Sequence, residues 1–486
     1  MTLRLEAGPL DQFYAAATAM SGRDRSLRLA EIRLGPQALD DCVDVALAES
    51  RSRVVLVQDE TPVHRSGHLV KPLIRARFSR SGADIAQVVL TGPGEVHTTT
   101  EQITTVQRQL RSGDVVVALG SGTIADITKH AVHAFETAHP GVQLRLVVIQ
   151  TANSVCAYTS GLAVVTTDGV KRTLPSRLPD VLVLDTQLLA EAPEVYTLGG
   201  IGDASVAAGS FADYRLVHLL GLGPWEPLSW ELMQPSRTRL LGQHPVLADR
   251  GDAGTGTLGI DLAACGLAMT WAGDSAPLSG LEHVTSHMLD MAAPADRRPV
   301  GNHGSQCALA TILTLIAYRK LLDQDRLVLE SGPVDDLAER ERVYRTFARI
   351  DDTGKAAREC WADYRLKLTA WQQHQSEVQA FADAWSDHRA ELSAYVADPA
   401  QFVAGLAAAG HPLRFDAIPT GLDEDMVRWA FGGARLMRKR TNVADLLSSA
   451  GLWTEDFLDD VFADYRSLLH PYFSPDPANQ PAKELL

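Results

Sequence analysis

The chain has 486 residues, a formal net charge of −15, 22% charged and 45% hydrophobic residues, a composition that fits a globular protein with more than one core. Its basic residues are dispersed under an acidic excess, which argues against nucleic acid and anionic membranes as partners. The start MTLRLEAGPLDQF has no apolar leader core, no apolar stretch is long enough to span a bilayer, and a cytoplasmic location is expected.

Taken in chain order, short β-type runs stand at Val54–Gln58, Val115–Leu119, Leu144–Gln150, Leu162–Thr166 and Val181–Leu184. Helical stretches separate several of them, as in α/β layering. Asp168-Gly169, between AVVTT and VKRT, reads as a hairpin turn. After about residue 197 strand signals stop. Leu258–Trp271 reads as a buried helix, and 334–397 and 423–469 carry helical periodicity with charges on one side. The tail SPDPANQPAKELL is polar, rich in proline and expected to fray. The expected organisation is an α/β nucleotide-binding domain over 1–196 and an all-helical metal and substrate domain over 197–486.

The stretch DVVVALGSGTIADITKH (114–130) carries the first chemistry. Val115–Leu119 suits a strand buried on both faces, Gly120 and Gly122 permit a sharp turn, and a helix is expected from Thr123 to His133. A strand, a glycine turn and a helix N-terminus make an anion site, with phosphate the first candidate. GSGTIA fits the dinucleotide fingerprint, yet the next strand, LRLVVIQT, lacks the acid a Rossmann unit wants at its end. A tight turn without a ligand therefore stays open as the alternative. Asp126 and Lys129 can equally be solvated helix residues.

Three polar clusters follow: GIGDASVAAGSFADY (200–214), SGLEHVTSHMLDM (279–291) and GNHGSQC (301–307). His283 and His287 are four apart and share a helix face. Asp203 follows glycines at an apparent helix start, and His303 sits beside Gly304. One carboxylate and two imidazoles make a three-ligand set that leaves a coordination position for substrate, as catalytic zinc requires. The five cysteines (42, 156, 265, 307 and 360) show neither metal-site nor disulfide spacing.

Together these stretches resemble the sn-glycerol-1-phosphate dehydrogenases, within the superfamily of iron-type alcohol dehydrogenases, glycerol dehydrogenases and dehydroquinate synthases. GSGTIADITK looks like the family's G-G-G-[ST]-x-x-D-x-x-K loop, and TANSVCAYTS (151–160) like its T-A-x-S-x-D-G-[FY]-x-S segment. GIGDASVAAGSFADY lies over G-F-G-D-x-x-x-K-x-x-x-x-A-D-W. SGLEHVTSHMLDM and NHG match the two histidine segments, and RKRTNVADLLSSAGLW a late helical motif.

The resemblance implies a nucleotide domain, a helical metal domain and an active site in the cleft between them. Carried over by position, it makes Asp203, His283 and His303 the ligands of one divalent metal, zinc first, with iron or nickel as other candidates. Asp203 also touches substrate, and His287 becomes substrate contact and proton relay. Gly120, Gly122, Thr123 and Asp126 would hold the phosphates of NAD or NADP, with Thr151, Ser154 and Ser160 completing that wall. Asp59 would accept the adenosine ribose hydroxyls, which favours NAD because a carboxylate repels a 2′-phosphate.

Two positions depart from the pattern. Cys156 replaces the family's substrate-contacting Asp, and Ala207 replaces a Lys beside the metal. The expected activity is therefore a metal- and NAD(P)-dependent oxidoreductase acting on a small polyol-like alcohol or ketone, phosphorylated or not, with a substrate altered from the family's. The alternatives are a dehydroquinate synthase-like cyclase or lyase using NAD transiently, and an inactive binding homologue. The partner is a small molecule; self-association is left open.

Overall fold

The computed structural model describes residues 3–47, 53–92, 94–167, 170–330 and 334–473. The turn expected at Asp168-Gly169 and the tail from Ser474 onward lie outside them. The chain divides into two compact units: one of residues 1–204, 227–236 and 245–275, the other of 205–226, 237–244 and 276–486. A single cut at 196/197 does not reproduce this division. The helix α7 (Asp252–Ala272) belongs to the first unit although it follows the boundary in sequence.

The first unit is built on a seven-stranded sheet of β1 (Gly8–Pro9), β2 (Glu31–Gly35), β3 (Arg53–Asp59), β4 (Asp84–Leu90), β5 (Val115–Gly120), β6 (Arg145–Gln150) and β9 (Val181–Asp185). Their spatial order is β1-β2-β9-β6-β5-β3-β4, and every pairing except β1 with β2 is parallel. The five strands expected from sequence all form. Residues Val54–Val57 and Val115–Leu119 are at most 1% exposed, the continuous apolar pattern of strands covered on both faces. Each such valine or leucine contributes about 1.5–3 kcal/mol of burial.

Two parallel strands carry no such run. Within EIRLG only Ile32 is buried, and DIAQVVL mixes exposed and buried positions at the sheet edge. Outside the sheet, β7 (Leu162–Thr167) and β8 (Val170–Pro175) form an antiparallel ladder.

The first unit also holds helices α1 (Asp11–Ser21), α2 (Val70–Arg80), α3 (Thr100–Gln107) and α4 (Gly122–Ala138), and α5 (Glu194–Ser205) up to Ala204. The expected Thr123–His133 helix is thus longer at both ends. Asp203 is not at a helix start: Gly199, Gly200 and Gly202 lie inside α5. Gly200 tolerates the helix because it needs no Cβ; one there would collide with the Asn153 carbonyl. Close packing, not chain reversal, is the reason for Gly200.

Among its described residues the second unit has helices and no strand, with α6 (Ser210–Leu219), α8 (Leu281–Ala292), α9 (His303–Leu322), α10 (Lys355–Gln373), α11 (Glu424–Gly433), α12 (Val443–Ser449) and α13 (Glu455–Phe473) among its elements. α9 is its buried spine, with every residue from Gly304 to Tyr318 buried. Among the described residues no helix is long and apolar enough to cross a membrane.

Candidate functional site

In the first unit, the glycine turn sits between β5 and α4 at the centre of the sheet, flanked by β3 and β6. Ser121 begins α4 without a side-chain cap, and the first turn holds no acid. The positive end of a 17-residue helix is thus not neutralised from within its own first turn. Gly120 and Gly122 have local reasons to be bare. A Cβ on Gly120 would lie 2.5 Å from the Ile124 side chain, and one on Gly122 would collide with Val155. Thr123 is half-buried beside them.

Asp126 and Lys129 face inward from α4. Lys129 is fully buried and donates to the carbonyls of Ala157, Ser160 (2.9 Å) and Leu162 (3.1 Å). It also pairs with Asp126 at 3.1 Å, and the Val164 N–H donates to the other Asp126 oxygen at 3.1 Å. Burial raises the Asp126 carboxyl above its usual range despite the lysine beside it. The solvated-helix reading of this pair is corrected: both are buried, and they staple segment 151–160 to the glycine-turn helix.

The same segment is fixed elsewhere. The Thr151 N–H donates to the Gly120 carbonyl (3.2 Å), Tyr158 Oη to the Ala152 carbonyl (2.8 Å), and Thr159 Oγ1 to the Ala263 carbonyl of α7 (2.8 Å). Gly266 of α7 lets that helix approach; a Cβ there would reach within 2.7 Å of Ser160 N. Thr151, Ser154 and Ser160 are all buried, and Ser160 Oγ accepts from the Leu162 N–H at 3.2 Å. The Cys156 N–H donates to Asp203 Oδ2 at 2.8 Å, which orients that carboxylate. Burial, and then the charge of Asp203, push the Cys156 thiol well above its usual range.

Asp59 ends β3, one strand from the glycine turn. One carboxylate oxygen pairs with Lys71, and the other accepts from Thr61 Oγ1 at 2.6 Å. Lys71 also donates to the Asp59 carbonyl at 2.8 Å.

In the second unit, α8 and α9 pack together and carry the histidines. His283 and His287 stand one turn apart on α8, as their spacing predicts, and His303 opens α9. The His303 ring lies 5.1 Å from each of the other two, edge-on to His283 and stacked on His287. Two overlapping donor groups result: His283, His303 and Cys307, and His287, Asp290 and His303, with the donor atoms of each within 4.8 Å of one another.

Each of two rings has its second nitrogen oriented. Ser286 donates its hydroxyl proton to Gln306 Oε1 (2.8 Å), so its oxygen accepts from His303 Nδ1 at 2.9 Å. With its proton on Nδ1, the neutral ring carries its lone pair on Nε2. His283 Nδ1 faces Glu282 Oε1 at 3.2 Å, which assigns the proton in the same way. Such outer partners accompany metal-binding histidines, and the nitrogen–sulfur–carboxylate donor chemistry fits a divalent ion.

Beneath them, Asp213 of α6 accepts from Tyr318 Oη (2.6 Å) and from the N–H groups of Leu281 (2.9 Å) and Val443 (2.7 Å). It therefore ties the starts of α8 and α12 to α6. Burial and the nearby Glu282 push its carboxyl up to about 7. Sequence reasoning passed over Glu282, Ser286, Gln306, Cys307 and Asp213. The spacing of Cys307, four residues after His303 on one helix, was the available signal. Ala207 is buried in the turn Val206–Ala208.

Residues 33–193 match the sequence pattern of the family described as iron-containing alcohol dehydrogenase. The chain is 28% identical over 304 residues to glycerol-1-phosphate dehydrogenase of Bacillus subtilis strain 168, covering 62% of this chain and 74% of that one. It is 26% identical over 286 residues to the enzyme of that name from Pyrococcus furiosus, covering 58% and 77%. Among solved structures, glycerol dehydrogenase from Schizosaccharomyces pombe superposes with a TM-score of 0.55 at 14% identity, covering 92% of each chain. A probable glycerol dehydrogenase from Sinorhizobium meliloti gives 0.52 at 16%, covering 90% and 97%. The fold is that of the iron-type alcohol dehydrogenases, and in sequence the chain is similar to the glycerol-1-phosphate dehydrogenases.

Proposed function

We propose that the chain is a metal- and NAD(P)-dependent oxidoreductase acting on a small polyol-like alcohol or ketone, of the glycerol-1-phosphate dehydrogenase kind. The observation that carries this reading is the pair His283 and His303, each with its Nδ1 turned to an outer partner, in a relative of those enzymes. Asp203, His283 and His303 hold the divalent metal, with zinc the first candidate. Asp203 reaches the reaction with its carboxylate already oriented by the Cys156 N–H.

When bound, the metal polarises a carbonyl and the nicotinamide exchanges a hydride. The chain's own residues do the rest. The glycine turn, Thr123 and the uncapped start of α4 receive the dinucleotide phosphates, and Thr151, Ser154 and Ser160 form the adjoining wall. Asp126 serves this site from behind, by fixing that wall through Lys129. Asp59 takes the ribose end. His287, stacked on His303, passes the proton between substrate oxygen and solvent.

The test is nicotinamide absorbance with purified protein against polyols, their phosphates and the matching ketones. Substrate-dependent net oxidation or reduction supports the reading. Product formation without net nicotinamide change points to the cyclase chemistry instead, and saturable binding with neither points to an inactive homologue. Metal analysis of His283→Ala and His303→Ala supplies an independent check: retention of a full equivalent by both refutes the ligand assignment.

A further inference from the structure

Asp59, read above as the acceptor for the adenosine ribose, does not stand alone. It ends β3, whose parallel partner β5 leads into the glycine turn, so both lie at the carboxyl edge of the sheet. The Lys71 ammonium pairs with one carboxylate oxygen and donates to the Asp59 carbonyl at 2.8 Å. The other carboxylate oxygen accepts from Thr61 Oγ1 at 2.6 Å. A carboxylate oxygen can accept twice, so each keeps one acceptor site for a ribose hydroxyl.

Lys71 holds its place at a local cost. It lies in the first turn of α2, where the helix dipole disfavours a cation, and that turn holds no acid. Its side chain is only 9% exposed. The helix start and the buried ammonium together offset the Asp59 charge at close range. Glu60, next in sequence, and Glu95, which with Asp59 acts on Tyr196, are exposed and open to screening by salt. A carboxylate left without its cation, about 4 Å from a 2′-phosphate, weakens binding roughly 10–30-fold even at the dielectric constant of water.

We infer that Lys71 sets the discrimination between NAD and NADP: paired with Asp59, it cancels the charge that repels a 2′-phosphate, and the site takes both dinucleotides. The inference rests on the nucleotide-dependent reading above and deepens it. Asp59 by itself favours NAD; the Asp59–Lys71 pair does not. The two free acceptor sites of the carboxylate serve the hydroxyls of NAD, and the ammonium faces the phosphate of NADP. The competing reading is a lysine that only tethers α2 to the end of β3.

Calorimetric titration of the full chain with NADH and with NADPH separates the two, the ratio of the dissociation constants being the quantity read. The wild-type constants are expected to lie within about tenfold of each other. Lys71→Met is expected to move the ratio toward NADH by roughly 10–30-fold. Lys71→Arg, which keeps the charge, is expected to leave the ratio near wild type. A mere tether lowers both affinities by one factor and leaves the ratio alone. Asp59→Asn keeps the lysine and is expected to move the ratio toward NADPH. A wild type that prefers NADH by more than about tenfold, or a ratio unmoved in Lys71→Met, overturns the inference. A ratio unmoved in Asp59→Asn also overturns it, by removing the pair from the ribose. Binding of neither dinucleotide to the wild type refutes the nucleotide-dependent reading itself.

Discussion

Replacing Lys129 by Met removes a cation but keeps most of its length, and the consequences can be worked out atom by atom. The ammonium is fully buried, donates to the carbonyls of Ala157, Ser160 and Leu162, and pairs with Asp126 at 3.1 Å. Breaking a buried pair by deleting one member costs about 3–5 kcal/mol, because the remaining charge stays desolvated. Three carbonyls also lose their charged donor, at about 1–3 kcal/mol each where no water replaces it. Asp126 limits the penalty by taking up a proton, which its raised carboxyl makes easy. The net expectation is a loss of about 3–5 kcal/mol, a large part of a typical domain's 5–15 kcal/mol. Urea unfolding followed by far-ultraviolet circular dichroism measures it, with a lower midpoint at unchanged slope. The double variant Asp126→Asn with Lys129→Met should recover part of the loss, since no buried carboxylate then lacks its partner. A Lys129→Met protein within about 1 kcal/mol of wild type would refute the claim that this lysine holds segment 151–160 in place.

Asp213 makes stability depend on pH in a defined direction. With its folded carboxyl at about 7 against 3.8 ordinarily, the folded state holds the proton more tightly. Stability from this group is therefore full below pH 4 and declines as pH rises toward 7, by at most about 1.4 kcal/mol per unit. Asp213→Asn should flatten that part of the thermal-melting profile, and equal slopes in both proteins would reject the assignment. Gly122→Ala should cost about 1–3 kcal/mol by overpacking against Val155, with Val155→Ala restoring most of it; absence of rescue in thermal melts would mean that another neighbour resists the methyl group. Cys156→Asp combined with Ala207→Lys should raise kcat/KM for dihydroxyacetone phosphate reduction, and robust wild-type turnover of that compound would show both departures to be neutral.

How much of this was legible beforehand depends on the kind of signal involved. Val115–Leu119 and Val181–Leu184 announced themselves because strands covered on both faces must be apolar at every position. The edge strand Asp84–Leu90 and the strand Glu31–Gly35 did not, since partial exposure interrupts the apolar run. The histidine spacing on α8 was readable because helical periodicity alone places residues four apart on one face.

What only tertiary structure decided are contacts between residues far apart in sequence. For Lys129 a solvated position stayed open until the carbonyls of residues 157, 160 and 162 closed around it. The glycines before Asp203 read as an apparent helix start because a sequence cannot show the Asn153 carbonyl lying where a Cβ on Gly200 would go. Helix α7 sorted with the first unit through packing that linear order conceals, Gly266 against the backbone of Thr159 and Ser160. The proton on each imidazole is set by Glu282 and by the Ser286–Gln306 pair, and only the folded chain places those groups at the rings. Local sequence determines periodicity and turn propensity, because these depend on neighbours along the chain. Burial, pairing and ligand orientation depend on neighbours in space, which the folded chain alone supplies.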